Sequence, residues 1–291
     1  MRRGFTLVEL LIAITVAGFV MGAIYRILAA NQRFYTAQSQ ILDVQQNVRA
    51  VAQILPGELR ELDAGDGDII AMSDTSITIK AMRGFAVTCA PASAAAGTVV
   101  IKTSQTFGYR AMDATRDSVL VFRDGNVQLT SDDRWLRAPI AASAAQNCTD
   151  GSAGTKLTLT GMVGGISQLG PSGATNDVGV TTGSPVRTFE TVNYRLYNDG
   201  TGTWWLGVRS YTGGAWAATS PIAGPLRPND GIKFEYRDAA DAITATRTAV
   251  ARIRLTVRGY SRVQIRIPGR RAGYYQDSMI TRIALRNNAR Y

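Results

Sequence analysis

The sequence predicts an α+β protein: one long N-terminal helix, apolar all round in its first half and amphipathic in its second, packed on an antiparallel β head. Three observations carry this. Residues 5–25 are apolar with one charge among them; apolar residues then recur at steps of three and four as far as Leu55; and beyond about residue 65 short β-branched and aromatic runs alternate with turn residues. The chain has 291 residues, 45% hydrophobic and 19% charged, enough to bury one sizeable core or two smaller ones, and a single large domain is expected. Its 29 glycines and 9 prolines are near ordinary usage, which excludes wholesale disorder.

The first segment, 5–25, is long enough to cross a hydrocarbon layer of about 30 Å as a helix. Glu9 sits inside it, and a carboxylate at bilayer depth costs roughly 2.5–3.5 kcal/mol on insertion scales, so it is a functional candidate by default. No partner for it is expected within its own helix. Arg2 and Arg3 precede the run and tend to stay cytoplasmic, which sends the rest of the chain across the membrane. A cleaved secretory signal fits poorly, because the run is long, carries Glu9 and continues as a helix. Gly18 and Gly22, three residues between them, have the spacing of a close helix–helix contact in a membrane.

The second segment, 26–62, places Phe34, Ala37, Ile41, Val44, Val48, Val51 and Leu55 on one face and glutamines and Arg49 on the others. From 5 to 55 such a helix extends about 75 Å at 1.5 Å per residue, with its stripe against a sheet. Pro56 and Gly57 should end or kink it, although Leu59 and Leu62 suggest another turn or two. Asp63, Asp66 and Asp68 read as a helix-ending turn, the spacing fitting no complete calcium loop.

The head, 63–291, contains candidate strands at 76–80, 98–102, 118–122, 127–130, 156–160, 191–197, 204–209, 232–236, 251–257 and 263–267. Asp124-Gly125 and Asn198-Asp199-Gly200 read as hairpin turns. Ile253, Leu255 and Val257 alternate with arginines, the pattern of a sheet with one wet face. Trp204 and Trp205 must face opposite sides of a strand, one in the core and the other exposed to a partner. Residues 161–183 hold seven glycines and little periodicity, the mark of a flexible loop or insertion. Cys89 and Cys148 form either a disulfide, worth roughly 3–4 kcal/mol on the chain-entropy model, or two buried thiols.

Charge is concentrated at one end. Residues 247–290 hold eleven arginines against one acid, an excess of ten that equals the net charge of the chain. Arg252, Arg254, Arg262 and Arg266 are candidate DNA contacts on this basis. The chain has no histidine and two cysteines, so the usual zinc sites are poorly supplied, and no G-x-S-x-G, S-x-x-K or phosphate loop is present; neither an enzyme, a metal site nor a cofactor is expected.

The stretch Gly4-Phe5-Thr6-Leu7-Val8-Glu9-Leu10-Leu11-Ile12-Ala13 resembles the processing site of type IV pilins and pseudopilins. The resemblance implies a leader, 1–4, cut by a prepilin peptidase between Gly4 and Phe5, methylation of the new Phe5 amine, and a Glu9 carboxylate neutralised by the terminal amine of a neighbouring subunit during assembly. Diffuse patterns in the head, among them Val192-Asn193-Tyr194-Arg195-Leu196 and 283–287, are similar to J-type pseudopilins and W-type minor pilins. Likeness to these subunits implies a single-pass inner-membrane protein with an extracytoplasmic head, later at a filament tip in the periplasm or at the cell surface. It would prime or cap a type IV pilus or a type II secretion pseudopilus. Its implied partners are other minor and major subunits, the inner-membrane assembly platform and membrane lipid. The alternative is a DNA-binding or adhesive tip subunit of a competence or attachment pilus.

Overall fold

The computed structural model describes residues 6–266 and 271–286. Among the described residues one α-helix, α1 (Leu7–Arg60), precedes fifteen strands whose mutual pairings are all antiparallel. The helix divides by packing. No residue from 7 to 36 is buried, and the buried stripe starts at Ala37 and continues through Val44, Val48, Val51 and Leu55 to Leu59. Phe34, expected on that stripe, is 57% exposed because the sheet does not reach it. Pro56 neither ends the helix nor stops its burial: Leu59 is fully buried, and Glu58 is ion-paired to the head. Tertiary contacts thus outweigh the hydrogen bond that proline forgoes.

The strands enter as β1 (Ile69–Met72), β2 (Ser76–Val87), β3 (Thr98–Lys102), β4 (Phe107–Gly108), β5 (Asp117–Asn126), β6 (Arg134–Asn147) and β7 (Ala153–Leu159). They continue as β8 (Asp177–Gly179), β9 (Pro185–Asn198), β10 (Trp204–Thr212), β11 (Ala215–Trp216), β12 (Ser220–Leu226), β13 (Ile232–Arg237), β14 (Arg252–Tyr260) and β15 (Gln276–Ala284). The fourteen-residue β9 is the branch point. Along one edge it pairs with β2; its other edge is shared by β10, against 192–198, and β5, against 186–190. Two lobes result, each with its own core. The first joins β10, β12, β13, β14 and β15 under α1, with Val51, Leu55, Val192, Leu206 and Leu255 among its buried residues. Gly259 lets the helix approach: a Cβ there would lie 2.6 Å from methyls of both Val44 and Val48. The second lobe, β5, β6, β7 and β3, lies away from α1, carries the short 3-10 turn Ile166–Leu169, and buries Val99, Val121, Leu136, Leu157 and Val186.

Several expectations need correction. Residues 127–130 are a turn, and Asp124 and Gly125 lie inside β5, paired through Asp124 to Gly179 of β8. The glycine there admits the Asp132 carboxylate, which accepts from the Asn126 N–H at 2.8 Å and holds the β5–β6 turn. No strand forms over 263–266, where only Ile265 makes an isolated bridge, to Gly273; Ile267 lies outside the described residues. Trp204 and Trp205 are both half-buried, so neither is a core residue or an exposed contact: Trp204 packs at the edge of the first core and Trp205 donates to Asp199 at 2.9 Å. The Asn198–Gly200 turn does join β9 to β10, with Gly200 at φ 86°. Residues 161–183 are largely irregular, and they are anchored: Leu169 and Val180 are buried, while Arg123 donates to the Gln168 carbonyl at 2.9 Å and to Asp177.

Candidate functional site

The exposed half of α1 begins with a cap. Thr6 has extended backbone, its hydroxyl accepts from the Glu9 N–H at 3.2 Å, and Glu9 Oε2 accepts from both the Thr6 N–H and the Thr6 hydroxyl at 2.9 Å. This reciprocal pair is a capping box, and it corrects the expectation that Glu9 has no partner within its own helix. The pattern Thr6-x-x-Glu9 was legible in the sequence. Beyond it the helix presents Leu7, Phe19 and Met21 at 80, 82 and 70% exposure. It is long and apolar enough to cross a membrane, and its apolar window is unburied by the head. Gly18 and Gly22 sit on this surface, and a Cβ at either would meet nothing within 4 Å. Gly4 and Phe5 lie outside the described residues.

This geometry is an anchor attached to a head: about 45 Å of uncovered helix, at 1.5 Å per residue and apolar over its first two-thirds, leading into a packed half. Residues 1–25 match the prokaryotic N-terminal methylation motif. That motif is the signature of type IV pilins and pseudopilins, and it spans the basic start, Gly4, Phe5, Glu9 and most of the apolar run. No curated protein and no solved structure matches the chain. The methylation motif therefore speaks for the anchor alone, and the head must be read from its own chemistry.

The packed half of α1 is tied to the head by a chain of charges. Glu58 of α1 accepts from Arg83 of β2 at 3.0 and 3.1 Å; Arg83 reaches Glu190 of β9 at 3.1 Å; Arg110 bridges Glu190 at 3.1 Å and Asp117 of β5 at 2.5 and 2.7 Å. Burial alone would raise the Glu190 carboxyl, but hydrogen bonds from Ser210, Arg110 and Arg83 hold it below its ordinary value. Hydrogen bonding to Asp117 raises Arg110 against its own desolvation. These five residues are scattered over 58–190, so no local pattern announces them.

Cys89 and Cys148 form a disulfide across 59 positions. Asp63, Asp66 and Asp68 build the turn after the helix, with Asp68 at 3.2 Å from the buried Lys80 and its other oxygen accepting from the Asp63 N–H. Burial first, then Asp63 and Asp68, raise the Asp66 carboxyl. Among the described residues no group of three or more His, Cys, Asp or Glu is arranged to hold a metal ion.

The four candidate arginines do not form one patch of free cations. Arg252 and Arg254 share the wet face of β14, at 3.3 Å from Asp241 and 3.7 Å from Glu235 respectively. Arg262 lies beyond the strand, near the Trp205 ring, and its N–H donates to Gln40 of α1. Arg266 is exposed in the irregular segment that follows.

Proposed function

We propose that this chain is a minor pilin or pseudopilin that enters the membrane by α1 and primes or caps assembly of a type IV pilus or secretion pseudopilus. The observation that carries the reading is the division of α1: a methylation motif and thirty uncovered residues, apolar as far as Tyr25 apart from Glu9 and Thr15, then a half engaged by a head too bulky to repeat at every position of a tightly packed fibre. A disulfide persists in oxidising compartments, which supports a head outside the cytoplasm. The role is structural rather than catalytic.

In this reading the leader ends at Gly4, and Phe5 supplies the amine that meets Glu9 of a neighbouring subunit. Thr6 holds the Glu9 carboxylate until then, so the capping box occupies the group that assembly later recruits. Because an intramembrane carboxylate is costly without a partner, the pair sets register more than it adds stability. Glu9→Val is expected to leave leader removal unchanged, read by N-terminal sequencing, while depleting the subunit from sheared filaments. Filaments that contain the variant at wild-type level, or fibres whose subunit keeps residues 1–4, would overturn the proposal.

A further inference from the structure

The edges of the head are unequal. The outer side of β13 is covered, since Phe234 donates to the Asp74 carbonyl and the Tyr236 carbonyl accepts from Thr244. That of β3 is covered too: Cys89 donates to the Val100 carbonyl, and Thr88 bridges Ile101. Among the described residues β15 is different. All nine of its residues are in register with β14, from Gln276 opposite Tyr260 to Ala284 opposite Arg252, and no strand pairs with its other side.

Which backbone groups point outward is fixed by the strand's ends. Leu285 donates inward to Ala251 at 3.1 Å and Arg286 donates the other way, to Arg60 of α1, at 2.9 Å. Backbone direction alternates along a strand, so the N–H groups of Ser278, Ile280 and Arg282 face away from β14. The Ser278 N–H is met by the neighbouring Asp277 carboxylate at 2.8 Å, which fits this assignment. Met279 and Ile280, on opposite faces of the strand, are 42 and 54% exposed. From Ser278 to Arg282 no strand covers this edge among the described residues, α1 meeting only its end at Arg286, and an open edge with apolar side chains is a template for another strand.

Charge on the same sheet face narrows the occupant. Arg282 stands directly opposite Arg254, a like-charge cross-strand pair that is unfavourable by itself. Around them Arg237, Arg252, Arg254 and Arg282 line one depression of about 500 Å³. Two acids serve three of these four cations: Glu235 is engaged by Arg237 and lies 3.7 Å from Arg254, and Asp241 is shared by Arg237 and Arg252. Arg282 has no acid among the described residues.

From this we infer that the outer edge of β15 accepts an extended segment of a different protein subunit, hydrogen-bonded to Ile280 and Arg282, bearing a carboxylate in register with Arg282 and apolar residues beside Met279 and Ile280. The inference stands on the edge and its charge, not on leader processing. DNA would use the same arginines without the backbone edge, and a second copy of this chain would supply a different set of side chains.

The test uses the full chain in its native membranes. Cysteines placed singly at Ser278, Ile280 and Ala284 are cross-linked with a short bifunctional reagent, and the linked peptides are identified by mass spectrometry. Cross-links from the three positions should fall along one acidic segment of one partner at the same spacing, two residues apart for Ser278 and Ile280 and four for Ile280 and Ala284. Ile280→Pro removes an outward N–H, which an edge strand tolerates, and should reduce the recovered complex at least tenfold while the head keeps its disulfide and protease resistance. Thr281→Pro, whose N–H serves β14, should instead unfold the head and marks what misfolding looks like. Arg282→Glu should weaken the complex and Arg282→Lys restore it. Cross-links to this chain itself, loss of the partner on nuclease treatment, or undiminished recovery with a folded Ile280→Pro head would each overturn the inference. Leader cleavage, read on the same samples, reports separately on the reading of the N-terminus.

Discussion

The two halves of α1 are one continuous helix with opposite environments. Leu7 and Phe19 are more than three-quarters exposed, whereas Val51 and Leu55 are fully buried. The first half owes nothing to the head, and the second is held by it through a buried apolar stripe and the Glu58–Arg83 pair. Most helical stability in a globular protein comes from packing an amphipathic face, so only the second half can report on the fold. The first half needs another apolar medium, and its side chains should matter to anchoring and assembly instead.

The largest effect is expected where the packed stripe is cut. Leu55→Ala removes a fully buried side chain from the first core and should cost about 2–5 kcal/mol, read as a lowered thermal unfolding midpoint of the full chain in detergent micelles. A change below about 1 kcal/mol would mean that the helix does not hold the head. Next comes the second lobe, which α1 does not support. Replacing both Cys89 and Cys148 with Ser opens a cross-link spanning 59 positions and should cost about 2–4 kcal/mol, with the β3–β7 region gaining amide exchange ahead of α1. Equal loss of protection in both lobes would make the head one cooperative unit.

Smaller and pH-dependent is the charge chain between them. Glu190 is held below its ordinary value of 4.5, so its contribution is complete above that pH and is lost as pH falls through the lower folded-state value. Glu190→Gln should cost about 1–3 kcal/mol near neutrality and should flatten this part of the acid unfolding curve. An unchanged acid profile would show that Arg83 and Arg110 are served by Glu58 and Asp117 alone.

How far the sequence could be read depends on the range of each signal. The three-and-four spacing of α1 and the alternation of β14 are local periods enforced by a buried face, and both were legible. β15 and the second half of β6 were not, because mostly exposed strands carry no alternation. Asp124-Gly125 misled as a turn dipeptide because its glycine serves a carboxylate approaching from Asp132, a contact invisible to local rules. Pro56 misled for the converse reason, packing of Leu59 and Glu58 having outweighed a local penalty. Of the candidate site, Glu9 was conspicuous as a lone charge, whereas its Thr6 partner, three residues away in a capping pattern, is a common polar residue that draws no attention by itself.

The least effect on the head, and the sharpest check on the comparison, belongs to Phe19→Ala. Phe19 is as large as Phe234 of the first core, and a buried phenylalanine would cost about 3–5 kcal/mol on truncation. At 82% exposure it has no such burial in the chain, so the unfolding midpoint of the head should move by no more than surface substitutions do, about 0.5 kcal/mol. The same variant should lower recovery of the subunit in sheared filaments, because its side chain has apolar neighbours only in lipid or in an adjoining helix. A destabilised head would mean that the first half of α1 folds back on it; an unaltered filament yield would mean that this face of the helix remains in lipid.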